Sequence, residues 1–89
     1  MAGPLRLDWS DEALEQLEEL TAFMPSASEK AETAIRQMAE SGFHWGRKLR
    51  SRDAWYFPVE KIGVYYEATA TTLRVVSVVD ARRLKTLPH

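Results

Sequence analysis

The sequence predicts an α+β fold with the order strand, helix, helix, strand, strand, strand. The result is an antiparallel-dominated four-stranded sheet with a helical hairpin on one face. Three patterns lead there. Apolar residues recur at helical spacing between residues 10 and 42, alternate through most of 54–69, and run almost unbroken through 72–80. With 89 residues, 10.2 kDa and 45% hydrophobic residues, the chain has material for one thin core, so it reads as a single domain spanning residues 1–89.

The first segment, Pro4 to Trp9, alternates Leu5, Leu7 and Trp9 with Arg6 and Asp8, the pattern of a half-buried strand. Ser10 then reads as an N-cap, with Asp11 and Glu12 in the first turn, where the helix dipole favours negative charge. Ala13, Leu14, Leu17, Leu20 and Phe23 form the apolar stripe of this helix, and Pro25 stops it. Ser26 to Glu29 fits a capping box for a second helix, whose apolar face holds Ala31, Ala34, Ile35, Met38 and Ala39. Gly42 is placed to end that helix in a left-handed conformation. A hairpin of two such helices needs a sheet beneath it to bury both stripes.

The second half supplies that sheet. Ala54 to Glu60 sets Trp55, Phe57 and Val59 against Tyr56, Pro58 and Glu60, and Pro58 marks an edge or a bulge. Ile62 to Thr69 carries Val64, Tyr66 and Ala68 on one face. Thr72 to Asp80 is nearly continuous in β-branched residues, as a central strand is. Glu60-Lys61 and Ala70-Thr71 are the expected hairpin turns.

Composition excludes several classes of function. The absence of cysteine removes disulfides, thiolate-bound zinc, iron–sulfur clusters and thiol catalysis. No apolar run approaches the ~18 residues of a membrane span, and residues 1–6 lack the apolar stretch of a secretory signal, so a soluble cytoplasmic domain is expected. Two histidines without clustered partners make no metal site, and no cofactor is expected. The net charge of −1 hides an asymmetry. Residues 1–40 hold three Lys/Arg against nine Asp/Glu, a net of −6; residues 41–89 hold nine against four, a net of +5. One side of the molecule therefore suits a polyanion, although solvating acids on the helices explain the same balance.

Ser10 to Ala13 at the helix start, Lys48 to Ser51 in the link, the hairpin Tyr56 to Tyr66 and the run Val75 to Arg83 together give the chain a resemblance to the RelE/ParE toxin superfamily over nearly its whole length. Two positions depart from that pattern: the arginines usual in the hairpin fall on Tyr56 and Gly63. The arginine after the last strand matches Arg82 or Arg83. The tyrosine that follows it six residues later in RelE falls on Pro88 or His89.

The resemblance implies a type II toxin. In the RelE-like form it docks in the ribosome and cleaves mRNA; in the ParE-like form it inhibits DNA gyrase by binding alone; a third form is a non-toxic protein-binding module. All three imply a protein partner, for the toxins a cognate antitoxin, often acidic, laid over the concave face. For RNA cleavage the candidate catalytic residues are Arg82, Arg83 and His89, with Arg47, Lys48, Arg50, Arg52 and Lys85 on phosphate. Guanidinium groups suit that work because they stay protonated and grip two phosphate oxygens at once. The 47–52 run equally suits a solvated linker, Arg82 and Arg83 a charged strand exit, and His89 a mobile terminus. Arg74 reads as an exposed face residue and His44 as a partly buried loop residue. Tyr56, Tyr65 and Tyr66 are able to stack on bases, but with Trp55 and Phe57 they better suit a core under the helices.

Overall fold

A computed structural model describes residues 3–84, with side chains as far as Arg82. The elements are β1 (Arg6–Trp9), α1 (Asp11–Phe23), α2 (Pro25–Ser41), β2 (Arg47–Lys48), β3 (Trp55–Val59), β4 (Ile62–Ala68), β5 (Thr72–Asp80) and the short α3 (Ala81–Leu84). One sheet runs in the order β1-β5-β4-β3-β2. β1 lies parallel to β5, and every other pair is antiparallel. The two long helices cover one face of it.

The expected sheet had four strands, and the described residues form five. Arg47 pairs with Tyr56 and Lys48 with Trp55, so the start of the basic 47–52 link is an edge strand. A two-residue strand leaves no alternation to read; it is set by the neighbour it pairs with, not by its own pattern.

Ser10 caps α1 as expected: the Ala13 N–H donates to its Oγ at 3.0 Å, and the Ser10 hydroxyl donates to the Val76 carbonyl at 2.8 Å. The buried stripe of α1 is narrower than the sequence suggests. Ala13 and Leu20 are buried, whereas Leu14 is 48% and Phe23 81% exposed. Each lies off the sheet-facing line, because successive residues turn by about 100° around the helix.

α2 begins one residue before the expected cap. Pro25 takes its first position, where the missing N–H costs nothing and the fixed φ suits the first turn. Met24 occupies the cap, and no side chain closes it. The expected capping box at Ser26 and Glu29 is therefore not formed. Nearby, the buried Ser28 hydroxyl bonds Thr21 at 2.7 Å and ties the two helices together. At the other end Gly42 adopts φ 71°, and its N–H reaches the Met38 and Ala39 carbonyls.

The core lies between helices and sheet. Ala31, Ile35 and Met38 of α2 meet Phe57, Val64 and Tyr66, all within 4% of complete burial. Each large apolar side chain so buried contributes about 1.5–3 kcal/mol. β5 is central and carries a bulge: Tyr65 faces Ser77 while Tyr66 faces Val75, leaving Val76 as the extra residue. The bulge shifts the parity, so Leu73 and Val75 on one side of it and Val78 on the other all reach the core.

β1 pairs only as far as Val75, so the rest of that β5 edge must find partners elsewhere. α1 provides them. The Gln16 Oε1 accepts from the Val78 N–H at 2.7 Å and the Ser77 hydroxyl at 3.0 Å. Among the described residues no buried side-chain polar atom lacks a partner, and no helix is long and apolar enough to cross a membrane.

Candidate functional site

Strand alternation decides which side chains reach the face that the long helices leave uncovered. The pairings Arg47 with Tyr56 and Tyr56 with Tyr65 place these residues in one row across three strands, whereas Ser77, opposite Tyr65 in β5, turns its hydroxyl to Gln16 of α1. A second row runs Glu67, Arg74, Asp8, and in it Arg74 bonds the Asp8 carboxylate at 2.8 Å. The tyrosines therefore divide between the two sides of the sheet. Tyr66 is fully buried under the helices, as the core reading expected, whereas Tyr56 and Tyr65 are half-buried on the opposite face.

Tyr56 and Gly63 form one feature. The Tyr56 ring lies across Gly63, so that a Cβ built there would sit 2.7 Å from its Cε1 and its hydroxyl. No side chain at 63 coexists with this ring position. The two departures from the superfamily pattern are thus coupled: tyrosine occupies the space that a longer residue at 63 would take. The ring also packs on Tyr65, with centroids 4.9 Å apart. Burial pushes the Tyr56 phenol up from its ordinary pKa, Tyr65 adds to this, and the Arg47 cation opposes it. At neutral pH Tyr56 is therefore a proton-bearing group, suited to donate and not to act as a base.

Beside this row, Trp45, Arg47, Tyr56, Phe57 and Pro58 line a cavity of about 300 Å³ at the β3 edge. The loop that carries Trp45 is fastened from behind. The Gly46 N–H donates to the Tyr66 hydroxyl at 2.8 Å, and that hydroxyl pairs with His44 Nδ1 at 2.9 Å. The edge of His44 also packs on Trp55 at 4.9 Å. His44 is the half-buried loop residue expected of it.

The sequence-derived candidates separate. Arg47 is exposed on the open face. Lys48, one residue on, points to the opposite side of the strand: its ammonium lies 4.9 Å from the Trp55 ring centre and 2.7 Å from the Asp53 carboxylate. Arg50 and Arg52 are exposed in the bend between β2 and β3. Arg82 is held by Asp80, with contacts of 2.9 and 3.0 Å from its guanidinium and 3.0 Å from its backbone N–H. It also lies 3.8 Å from the Met24 sulfur at the helix junction. That ion pair raises the Arg82 pKa further. The Arg83 side chain, Lys85 and His89 lie outside the described residues. Trp45 is the lining residue that the sequence analysis did not single out. Its signal was an aromatic residue two positions from a cation in a loop closed by glycines.

No family model and no curated protein matches the sequence. Solved structures do match. A doubly substituted variant of E. coli RelE in the free state aligns over 92% of this chain and 88% of its own, at 20% identity and TM-score 0.70. The toxin–antitoxin complex RelBE2 of Mycobacterium tuberculosis aligns over 90% and 94%, at 17% identity and TM-score 0.70. The fold is that of the RelE/ParE toxins. A chain of the chromosomal ParDE system of P. aeruginosa matches too, over 85% and 95%, at 9% identity and TM-score 0.67. Both branches of the RelE/ParE fold are therefore represented among these neighbours.

Proposed function

We propose that the protein is the toxin of a type II toxin–antitoxin pair and acts in the RelE manner, cutting mRNA on the ribosome. The observation that carries this reading is the row Arg47–Tyr56–Tyr65 on the open sheet face, a cation set among aromatic rings. Such a face suits single-stranded RNA, because guanidinium groups hold phosphate and aromatic rings stack on bases without regard to sequence.

Cleavage proceeds by attack of the RNA 2′-hydroxyl on the adjacent phosphorus, breaking the bond to the 5′-oxygen and leaving a cyclic phosphate. Arg47 holds the non-bridging oxygens and offsets the charge that develops there. Tyr56, which keeps its proton at neutral pH, is placed to donate to the phosphate or to the departing 5′-oxygen. His89 is the side chain proposed to take the 2′-hydroxyl proton. Arg50, Arg52, Arg83 and Lys85 serve as flanking phosphate contacts, and Lys48 and Arg82 contribute only if their carboxylate partners release them. The same cationic second half fits an acidic segment of an antitoxin, and that association should weaken with salt.

A ParE-like reading, inhibition of DNA gyrase by binding alone, is favoured by two observations. Asp80 already engages the Arg82 guanidinium, and position 63 is glycine. Inducing the chain alone in bacteria separates the two. Discrete new 5′ ends within ribosome-bound mRNA support the RelE-like reading. A DNA-damage response with intact mRNA supports the gyrase reading, and undisturbed growth contradicts both.

A further inference from the structure

We infer that the cavity between the Trp45 loop and β3 is a pocket for a single RNA nucleotide, its base against Trp45 and its phosphate on Arg47. The inference rests on the RNA reading above for the source of the nucleotide, and on the cavity itself for the rest. Its volume of about 300 Å³ lies at the small end of ligand pockets, enough for one base with its sugar phosphate. Among the described residues, every polar side chain in the lining is a hydrogen-bond donor: the Trp45 indole N–H, the Arg47 guanidinium and the protonated Tyr56 hydroxyl. No carboxylate among the described residues lines it. Donors with a fixed positive charge select a phosphate; a half-exposed indole beside apolar Pro58 offers the flat face a base requires.

Pre-organisation is the second argument. An indole 48% exposed on a free loop would stay mobile and lose entropy on stacking. Trp45 instead sits between His44 and Gly46, both bonded to the one buried Tyr66 hydroxyl, so the loop is fixed before any ligand arrives. Arg47 follows in β2, its backbone set by pairing with Tyr56. Three consecutive structural constraints thus present a ring and a cation on the same side of one opening.

The test follows the Trp45 indole N–H in a heteronuclear NMR titration of the full chain. The probes are adenosine, guanosine, cytidine and uridine 5′-monophosphates, each against ribose 5-phosphate and inorganic phosphate. A saturable shift with at least one nucleotide, about tenfold tighter than with ribose 5-phosphate, supports the pocket, since a base stacked on an aromatic ring contributes about that much or more. Arg47→Ala and Arg47→Glu should each weaken nucleotide binding at least fivefold, and Trp45→Ala, followed through the Arg47 side-chain resonance, should remove the preference for a base. Unchanged Trp55 and Tyr66 resonances establish that each variant is folded. No saturation to ~10 mM, or equal affinity for phosphate and nucleotides, overturns the proposal. A protein that cuts mRNA yet binds no nucleotide loses the pocket and keeps the toxin reading; one that binds nucleotides and leaves mRNA whole does the reverse.

Discussion

Tyr66→Phe removes one oxygen from a fully buried ring and leaves the ring itself in place. The stacked contact with Trp55 at 6.0 Å and the edge contact with Phe57 at 5.8 Å need only the carbons, so no cavity opens. What disappears is the hydroxyl that accepts from the Gly46 N–H at 2.8 Å and pairs with His44 at 2.9 Å. An N–H left without a partner in a part-buried place costs about 1–3 kcal/mol, and a lost side-chain hydrogen bond about 1 kcal/mol. His44 is half-buried and able to turn to water, which offsets some of its share, so the expected loss is about 2 kcal/mol. For a domain of this size that corresponds to a fall in Tm of about 8–16 °C. Urea denaturation followed by circular dichroism reads it directly, as a lowered midpoint with an unchanged slope. A loss below about 0.5 kcal/mol would refute the claim that this one oxygen fastens the loop carrying Trp45.

Three further outcomes follow from the same geometry. Burial raises the Tyr66 and Tyr56 phenols above their ordinary value of 10.0, so the folded state holds these protons more tightly than the unfolded chain. Stability from this source is complete below pH 10 and declines as pH climbs through the raised values, less steeply in Tyr66→Phe; denaturation midpoints flat across that alkaline range would contradict it. Gln16→Ala strips the partner from the Val78 N–H beyond the end of β1 and should cost about 1–3 kcal/mol in a thermal melt, whereas an unchanged melt would show that water replaces the amide without penalty. Gly63→Ala drives a Cβ into the Tyr56 ring, which is free to swing toward solvent, so stability should change by less than about 1 kcal/mol while the Tyr56–Tyr65 ring contact disappears from NMR spectra. Survival of that contact would uncouple the two positions.

The order of elements was legible because each rests on a local pattern. Gly42 announces a left-handed cap, the β-branched run Thr72–Asp80 announces a strand inside the sheet, and alternation separates Tyr56 from Phe57. Features created by tertiary neighbours were not legible. β2 exists because β3 lies beside it. Ser26 carries the capping signal, yet Pro25 starts the helix, since a fixed φ outweighs a side-chain cap. The Val76 bulge is invisible in a stretch where every residue suits a strand. At the candidate site the sequence located the cations but not their directions. Consecutive Arg47 and Lys48 point to opposite sides, and the Arg82 guanidinium is held by Asp80 two residues away. The coupling of Tyr56 to Gly63 required coordinates, because it spans two strands and depends on how one ring lies.

Growth of bacteria induced to make the wild-type chain or the Arg47→Ala/Tyr56→Ala variant, at matched levels of folded protein, weighs the open face most directly. The wild type should arrest the culture and the double variant should let it grow. Equal arrest by both, or free growth with the wild type, would mean that the aromatic and cationic surface opposite the helices does not carry the activity assigned to it.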